Sequence, residues 1–65
     1  MKLIVNGEAL DAAAQTLQDL LTELNLTGPW LATAVDGDFV PAGERIDCTL
    51  RDGAAIEILS PMQGG

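Results

Sequence analysis

Two glycines, Gly64 and Gly65, close this 65-residue chain, and the carboxylate on Gly65 is the group best placed to do chemistry. With glycine at an average frequency of about 7%, such an ending arises by chance in roughly 0.5% of chains, so it has weight only together with what precedes it. Met62-Gln63-Gly64-Gly65 follows Pro61 and a strand-like run, which makes it a nearly side-chain-free thread leaving a folded body. Glycine has no Cβ, so such a thread can enter a narrow channel of another protein and take up backbone angles closed to other residues. There the carboxylate can attack the α-phosphate of ATP, form an acyl-adenylate and pass its activated carbonyl to a thiol or persulfide. The alternative reading is an ordinary frayed terminus.

Other chemistry is scarce. The chain has no His, so it lacks an imidazole base, an imidazole metal ligand and a Ser-His-Asp triad, and Ser60 has no evident partner. Cys48 is the one thiol, which rules out an internal disulfide and a zinc-type ligand set. With only Arg45 and Arg51 nearby in sequence, its thiolate is not clearly favoured, and it reads as a small buried hydrophobe with no part in sulfur transfer. Asp36 and Asp38 suggest calcium at first sight, but Val40 and Ala42 follow where an EF-hand loop needs oxygen ligands, so turn chemistry explains them. A domain this small also has little room for a substrate pocket, typically at least ~300 Å³. Catalysis by this chain alone is therefore not expected.

Composition bounds the class. Ten Asp and Glu against three Lys and Arg leave a net charge of −7, which disfavours nucleic acid and anionic membranes and favours a basic docking partner. An apolar fraction of 48% is too high for a disordered chain. No apolar run is long enough to span a bilayer and no signal peptide is evident, so the cytoplasm is the expected location.

The elements that must hold the tail steady are legible in the pattern. Met1–Val5 reads as a strand closed by Asn6-Gly7, the dipeptide best suited to a type I′ turn, and Glu8–Ala12 should return as a short, weak edge strand. Leu17, Leu20, Leu21 and Leu24 then stand at i, i+3, i+4 and i+7, the stripe of an amphipathic helix. Thr16 is its natural N-cap, with Asp19 in the first turn, and Gly28-Pro29 is its expected stop after about three turns. Trp30–Val35 and Asp38–Val40 form a second hairpin around Asp36-Gly37. Ala42–Leu50 has no clean period and reads as a loop with one helical turn near Gly43 to Arg45. Asp52-Gly53 makes a third turn into the last strand, Ala54–Leu59, and Pro61 takes the chain out of the sheet. The predicted architecture is α+β, a mixed sheet of four to five strands wrapped around one helix, with residues 1–61 as the domain and 62–65 as the tail. Leu3, Val5, Ile56 and Ile58 share the helix-facing side by alternation, and Trp30 and Phe39 are expected to cap the ends of the core.

The same alternation turns Ile4 and Leu59 away from the helix. If the first and last strands are neighbours, these two side chains form an exposed pair near the start of the tail, a candidate docking patch beside acidic groups. Plain exposure is the alternative, since scattered surface apolar residues are common.

K-L-I-V-N-G-E at Lys2 to Glu8, the Leu-rich helix after Thr16, A-V-D-G-D-F-V-P at Ala34 to Pro41, Asp52-Gly53, I-E-I-L at Ile56 to Leu59 and the terminal Gly-Gly together resemble the ThiS family. These are sulfur carriers of thiamine biosynthesis with a ubiquitin-like β-grasp fold. The motifs are individually loose, and their order along the whole chain is what is specific. The resemblance implies that Gly65 is adenylated by a ThiF-type enzyme using ATP and magnesium, then converted to a thiocarboxylate with sulfur from a donor such as a cysteine desulfurase. It further implies that the thiazole synthase ThiG receives that sulfur, so the chain is a protein co-substrate and binds no cofactor itself.

Three rival classes share parts of this pattern. Another sulfur carrier of the same fold, such as the small subunit of molybdopterin synthase, would use the same Gly-Gly chemistry, although that subunit tends to be longer. A protein modifier joined through Gly65 would find Lys2 as the single lysine for chain building. An interaction module with an inert tail is the third.

Overall fold

The computed structural model describes residues 1–26 and 30–60; the expected helix stop at Gly28-Pro29, the exit at Pro61 and the tail at 62–65 lie outside the described residues. Strand β1, Lys2–Val5, buries Leu3 and turns Lys2 and Ile4 outward, as period-two alternation requires. Asn6 and Gly7 take φ of 50° and 86°, the left-handed pair of a type I′ turn, and return the chain into β2, Glu8–Asp11. The hairpin pairs Lys2 with Asp11 through Val5 with Glu8, and β2 forms one edge of the sheet.

Helix α1, Leu17–Glu23, opens as its sequence predicts: the Thr16 Oγ1 accepts a hydrogen bond from the Asp19 N–H at 3.1 Å. Leu17, Leu20 and Leu21 are buried. The helix has seven residues, two turns rather than three, because it stops before Gly28-Pro29 is reached. Asn25 adopts φ 60°, and the N–H groups of Leu26 and Asn25 donate to the carbonyls of Leu21 and Thr22 at 2.8 and 3.1 Å. That pair of bonds is a Schellman motif with Asn in the left-handed position usually held by Gly. Glu23, on the last turn, accepts from the Ala13 and Ala14 N–H groups at 3.2 and 3.0 Å and so ties the helix back to the segment that leads into it.

Strands β3, Ala32–Val35, and β4, Asp38–Val40, are joined by Asp36 and Gly37 at φ 52° and 88°. A 3₁₀ segment, Ala42–Asp47, occupies much of the stretch expected to be loop and is longer than the single turn anticipated there. It packs against α1, and beyond it Leu17 N–H and Leu50 N–H donate to the carbonyls of Cys48 and Gln15 at 2.9 and 2.8 Å. Cys48 is half-buried against the core. Strand β5, Ala55–Leu59, completes a five-stranded sheet in the order β2-β1-β5-β3-β4. The last strand lies at the centre, parallel to β1 and antiparallel to β3.

One face of this mixed sheet holds the core, in which Leu3, Leu17, Leu20, Leu21 and Ile56 are almost fully buried and Val5 packs against them. Trp30 and Phe39 do not cap it: they are 55% and 69% exposed. Alternation admits one residue of each adjacent pair, and here Leu31 and Val40 point inward instead. No helix among the described residues is long and apolar enough to cross a membrane.

Candidate functional site

The face of the sheet opposite α1 is built by the residues that alternation leaves outside. On β5, Ile56 and Ile58 are buried, so Ala55, Glu57 and Leu59 face outward. On β3, Thr33 is buried while Ala32 and Ala34 are half-buried on the other side, and on β4 Val40 is buried while Phe39 is exposed. The register sets Ala34 opposite both Phe39 and Glu57, and Ala32 opposite Leu59. Small side chains therefore floor a shallow groove of about 120 Å³, with Phe39 and Leu59 rising from it and Glu57 along it. Leu59 is 68% exposed. An apolar surface of this kind, on the one strand that leads to the C-terminus, is suited to binding another protein rather than to holding a small molecule.

Ile4 belongs to the same face but not to the groove. The first and last strands are neighbours, as the pairing of Ile4 and Leu59 required, yet Ile4 stands opposite Ala55. That is four positions back from Leu59, about 13 Å along the strand at ~3.3 Å per residue. Ile4 is 40% exposed, so the register gives Leu59 the company of Phe39 and the two alanines, and leaves Ile4 toward the other end. Phe39 was the residue whose place sequence reasoning missed. Its alternation with Val40 was the available signal, since one of the two had to face away from the core.

Beneath the groove the β3-β4 pair is braced from the covered side by Arg45. Its Nε donates to Thr33 Oγ1 at 3.1 Å and its Nη2 donates to the Leu31 carbonyl, while Thr33 Oγ1 itself donates to the Val40 carbonyl at 2.8 Å. Arg45 is buried, an unusual position for a cation that is tolerable only when its donors are satisfied. Nothing in the aperiodic stretch around it signalled this. At the far end of the hairpin, Asp36 Oδ1 accepts from the Ala55 N–H at 2.9 Å and Oδ2 meets Arg51 Nη2 at 3.5 Å, which is turn and strand-end chemistry as its sequence context suggested.

Two larger hollows, of about 310 and 360 Å³, lie elsewhere as open depressions of the surface. The first is bordered by Asp36, Asp38, Cys48 and Arg51, and the second by Asn6, Glu8, Leu10 and Leu24. Neither lining contains a histidine, and Asp36 is already engaged with Ala55 and Arg51. Ser60, the last described residue, follows Leu59 directly; Met62, Gln63, Gly64 and Gly65 lie outside the described residues. Gly65 is five positions beyond Ser60, a reach of at most about 18 Å for a fully extended chain.

Comparison with known proteins adds to this geometry. The ThiS family model matches residues 3–65. A crystal structure of a thiamine biosynthesis protein (ThiS) from Geobacter metallireducens is similar at a TM-score of 0.84 and 26% identity, over 100% of both chains. An NMR solution structure of a thiamine biosynthesis protein from the same organism is similar at a TM-score of 0.81 and 29% identity, over 100% of this chain and 88% of the other. The comparison with curated proteins gives no match.

Proposed function

The chain belongs to the ThiS family, and from that membership we propose that it is a sulfur carrier of thiamine biosynthesis whose Gly65 carboxylate is adenylated and converted to a thiocarboxylate. The observation that carries this reading is the match over residues 3–65, which includes the terminal Gly64-Gly65, on a fold whose central strand is the last element described before them in the sequence. In this reading the chain is a co-substrate acting in the cytoplasm, and the chemistry belongs to its partners. A carboxylate oxygen of Gly65 attacks the α-phosphorus of ATP on a ThiF-type enzyme that uses magnesium, and pyrophosphate leaves. A sulfur nucleophile supplied through a donor such as a cysteine desulfurase then displaces AMP. The thiazole synthase ThiG takes the sulfur from the resulting thiocarboxylate.

The open sheet face is the proposed docking surface, with Leu59 and Phe39 as its apolar anchors and Ile4 at its margin. Glu57 lies within it, and a chain of net charge −7 calls for a basic rim on the receiving enzyme. The reach of the tail sets a second requirement, that the ATP site lie within about 18 Å of docked Ser60. Membership of the ThiS family favours the thiazole pathway over the molybdopterin-type carriers of the same fold.

Intact-mass measurement after incubation with the adenylating enzyme, ATP and a sulfur donor tests the reading. A gain equal to the difference between sulfur and oxygen, lost when Gly65 is deleted, is the expected result. No change under conditions that convert an established carrier would leave an interaction module instead.

A further inference from the structure

We propose that Asn6 is a positioning residue for the C-terminal tail, holding the end of β5 so that the chain leaves the sheet in one direction. This rests on the sulfur-carrier reading, in which the group that reacts lies seven residues beyond Ile58.

The backbone of β1 runs beside β5 only as far as its turn. Ile4 N–H and Asn6 N–H donate to the carbonyls of Ala54 and Ile56, both at 2.9 Å. The next rung of a parallel ladder would pair Ile58 with the main chain beyond, but that main chain has already turned away at Asn6 and Gly7. The Asn6 side chain takes its place. Its Oδ1 accepts from the Ile58 N–H at 2.8 Å and its Nδ2 donates to the Ile58 carbonyl at 3.1 Å, so the primary amide reproduces both halves of a peptide rung. On the other edge Leu59 pairs with Ala32 of β3. Held from both sides, the strand stays in register to its last residue. Without the amide, its final residues are held from β3 alone.

The residue type is constrained twice. At φ 50° Asn6 sits where only Gly, Asn and Asp are readily accommodated, and of these only Asn offers both a donor and an acceptor. Gly at this position keeps the turn and removes the clamp, while Asp keeps the turn and the acceptor and places a second oxygen against the Ile58 carbonyl.

Positioning affects a step that needs the carboxylate at the α-phosphorus, whereas the docking anchors Leu59 and Phe39 keep their own pairing with Ala32 and Ala34 of β3 when the clamp is lost. ATP–pyrophosphate exchange by the adenylating enzyme, with the full chain as varied substrate, separates the two. Asn6→Gly is expected to lower kcat about tenfold and to leave KM within about twofold, with Asn6→Asp between it and the parent. Amide exchange at Ile58 in the free protein is expected to quicken about tenfold in Asn6→Gly, while the Leu3 and Leu20 amides, in the core, keep their protection at a temperature where the protein is fully folded. A kcat equal to the parent, a fall explained wholly by unfolding of the core amides, or a change confined to KM would overturn the proposal. Absence of exchange with the unsubstituted chain would instead refute the carrier reading, and the role of Asn6 with it.

Discussion

Leu59→Asp separates docking from folding because Leu59 is 68% exposed in the free chain. Burying a leucine side chain completely is worth about 1.5 to 3 kcal/mol, so a partner covering the remaining two-thirds gains about 1 to 2 kcal/mol. Asp forfeits that gain and adds a polar group to be desolvated, a further cost of about 1 to 3 kcal/mol. The sum, at 1.4 kcal/mol per decade, is a rise in KM for the adenylating enzyme of at least about 30-fold. The fold is affected less, since Asp in a strand is unfavourable by up to about 1 kcal/mol and the third of Leu59 that is already covered contributes only about 0.5 to 1 kcal/mol. A 65-residue domain has roughly 3 to 10 kcal/mol of stability, so Leu59→Asp stays more than about 80% folded. Pyrophosphate exchange gives the KM, and far-ultraviolet circular dichroism with urea titration gives the folded fraction. Phe39→Asp should behave in the same way. Ile4→Asp, on the same face beside Ala55, should raise KM by less than about threefold because it lies outside the groove. An unchanged KM in a folded Leu59→Asp would refute docking at this face. An equal loss in Ile4→Asp would refute the location of the groove.

Leu20→Ala, at a position with no exposed surface in α1, should cost about 2 to 5 kcal/mol and leave a substantial unfolded fraction in urea titration; a loss under about 1 kcal/mol would contradict its place in the core. Arg45→Ala removes charged donors from Thr33 Oγ1 and the Leu31 carbonyl, each worth about 1.5 to 3 kcal/mol, so a drop of about 3 to 6 kcal/mol in denaturant stability is expected. Arg45→Lys should recover little of it, because an ammonium does not reproduce the guanidinium fork, and full recovery would show that charge alone suffices.

Much of the molecule was legible residue by residue. Asn6-Gly7 and Asp36-Gly37 announce their hairpins because positive φ is open to few residue types, and both pairs adopt it. The leucine stripe marks the covered face of α1, and Thr16 marks its start. Its end was misplaced because Gly-Pro is the louder signal, whereas the local competition was settled by Asn25, which satisfies the helix carbonyls one turn earlier. The stretch around Arg45 was illegible for a different reason: a 3₁₀ segment has no apolar period over so short a length, and burial of an arginine depends on acceptors from β3.

The candidate site divides along the same line. Periodicity and turn chemistry, which depend on near neighbours in the chain, were enough by themselves to establish the α+β class and the outward direction of Ile4 and Leu59, and the Gly64-Gly65 ending directs attention to the terminal carboxylate. Which outward residues meet was decided only by the tertiary structure. Alternation specifies the face of a strand and is silent on its neighbours and its register, which come from pairing between segments far apart in the chain. That pairing put β5 at the centre, brought Leu59 to Ala32 and the Phe39 groove rather than to Ile4, and set the Asn6 amide against Ile58, 52 residues away.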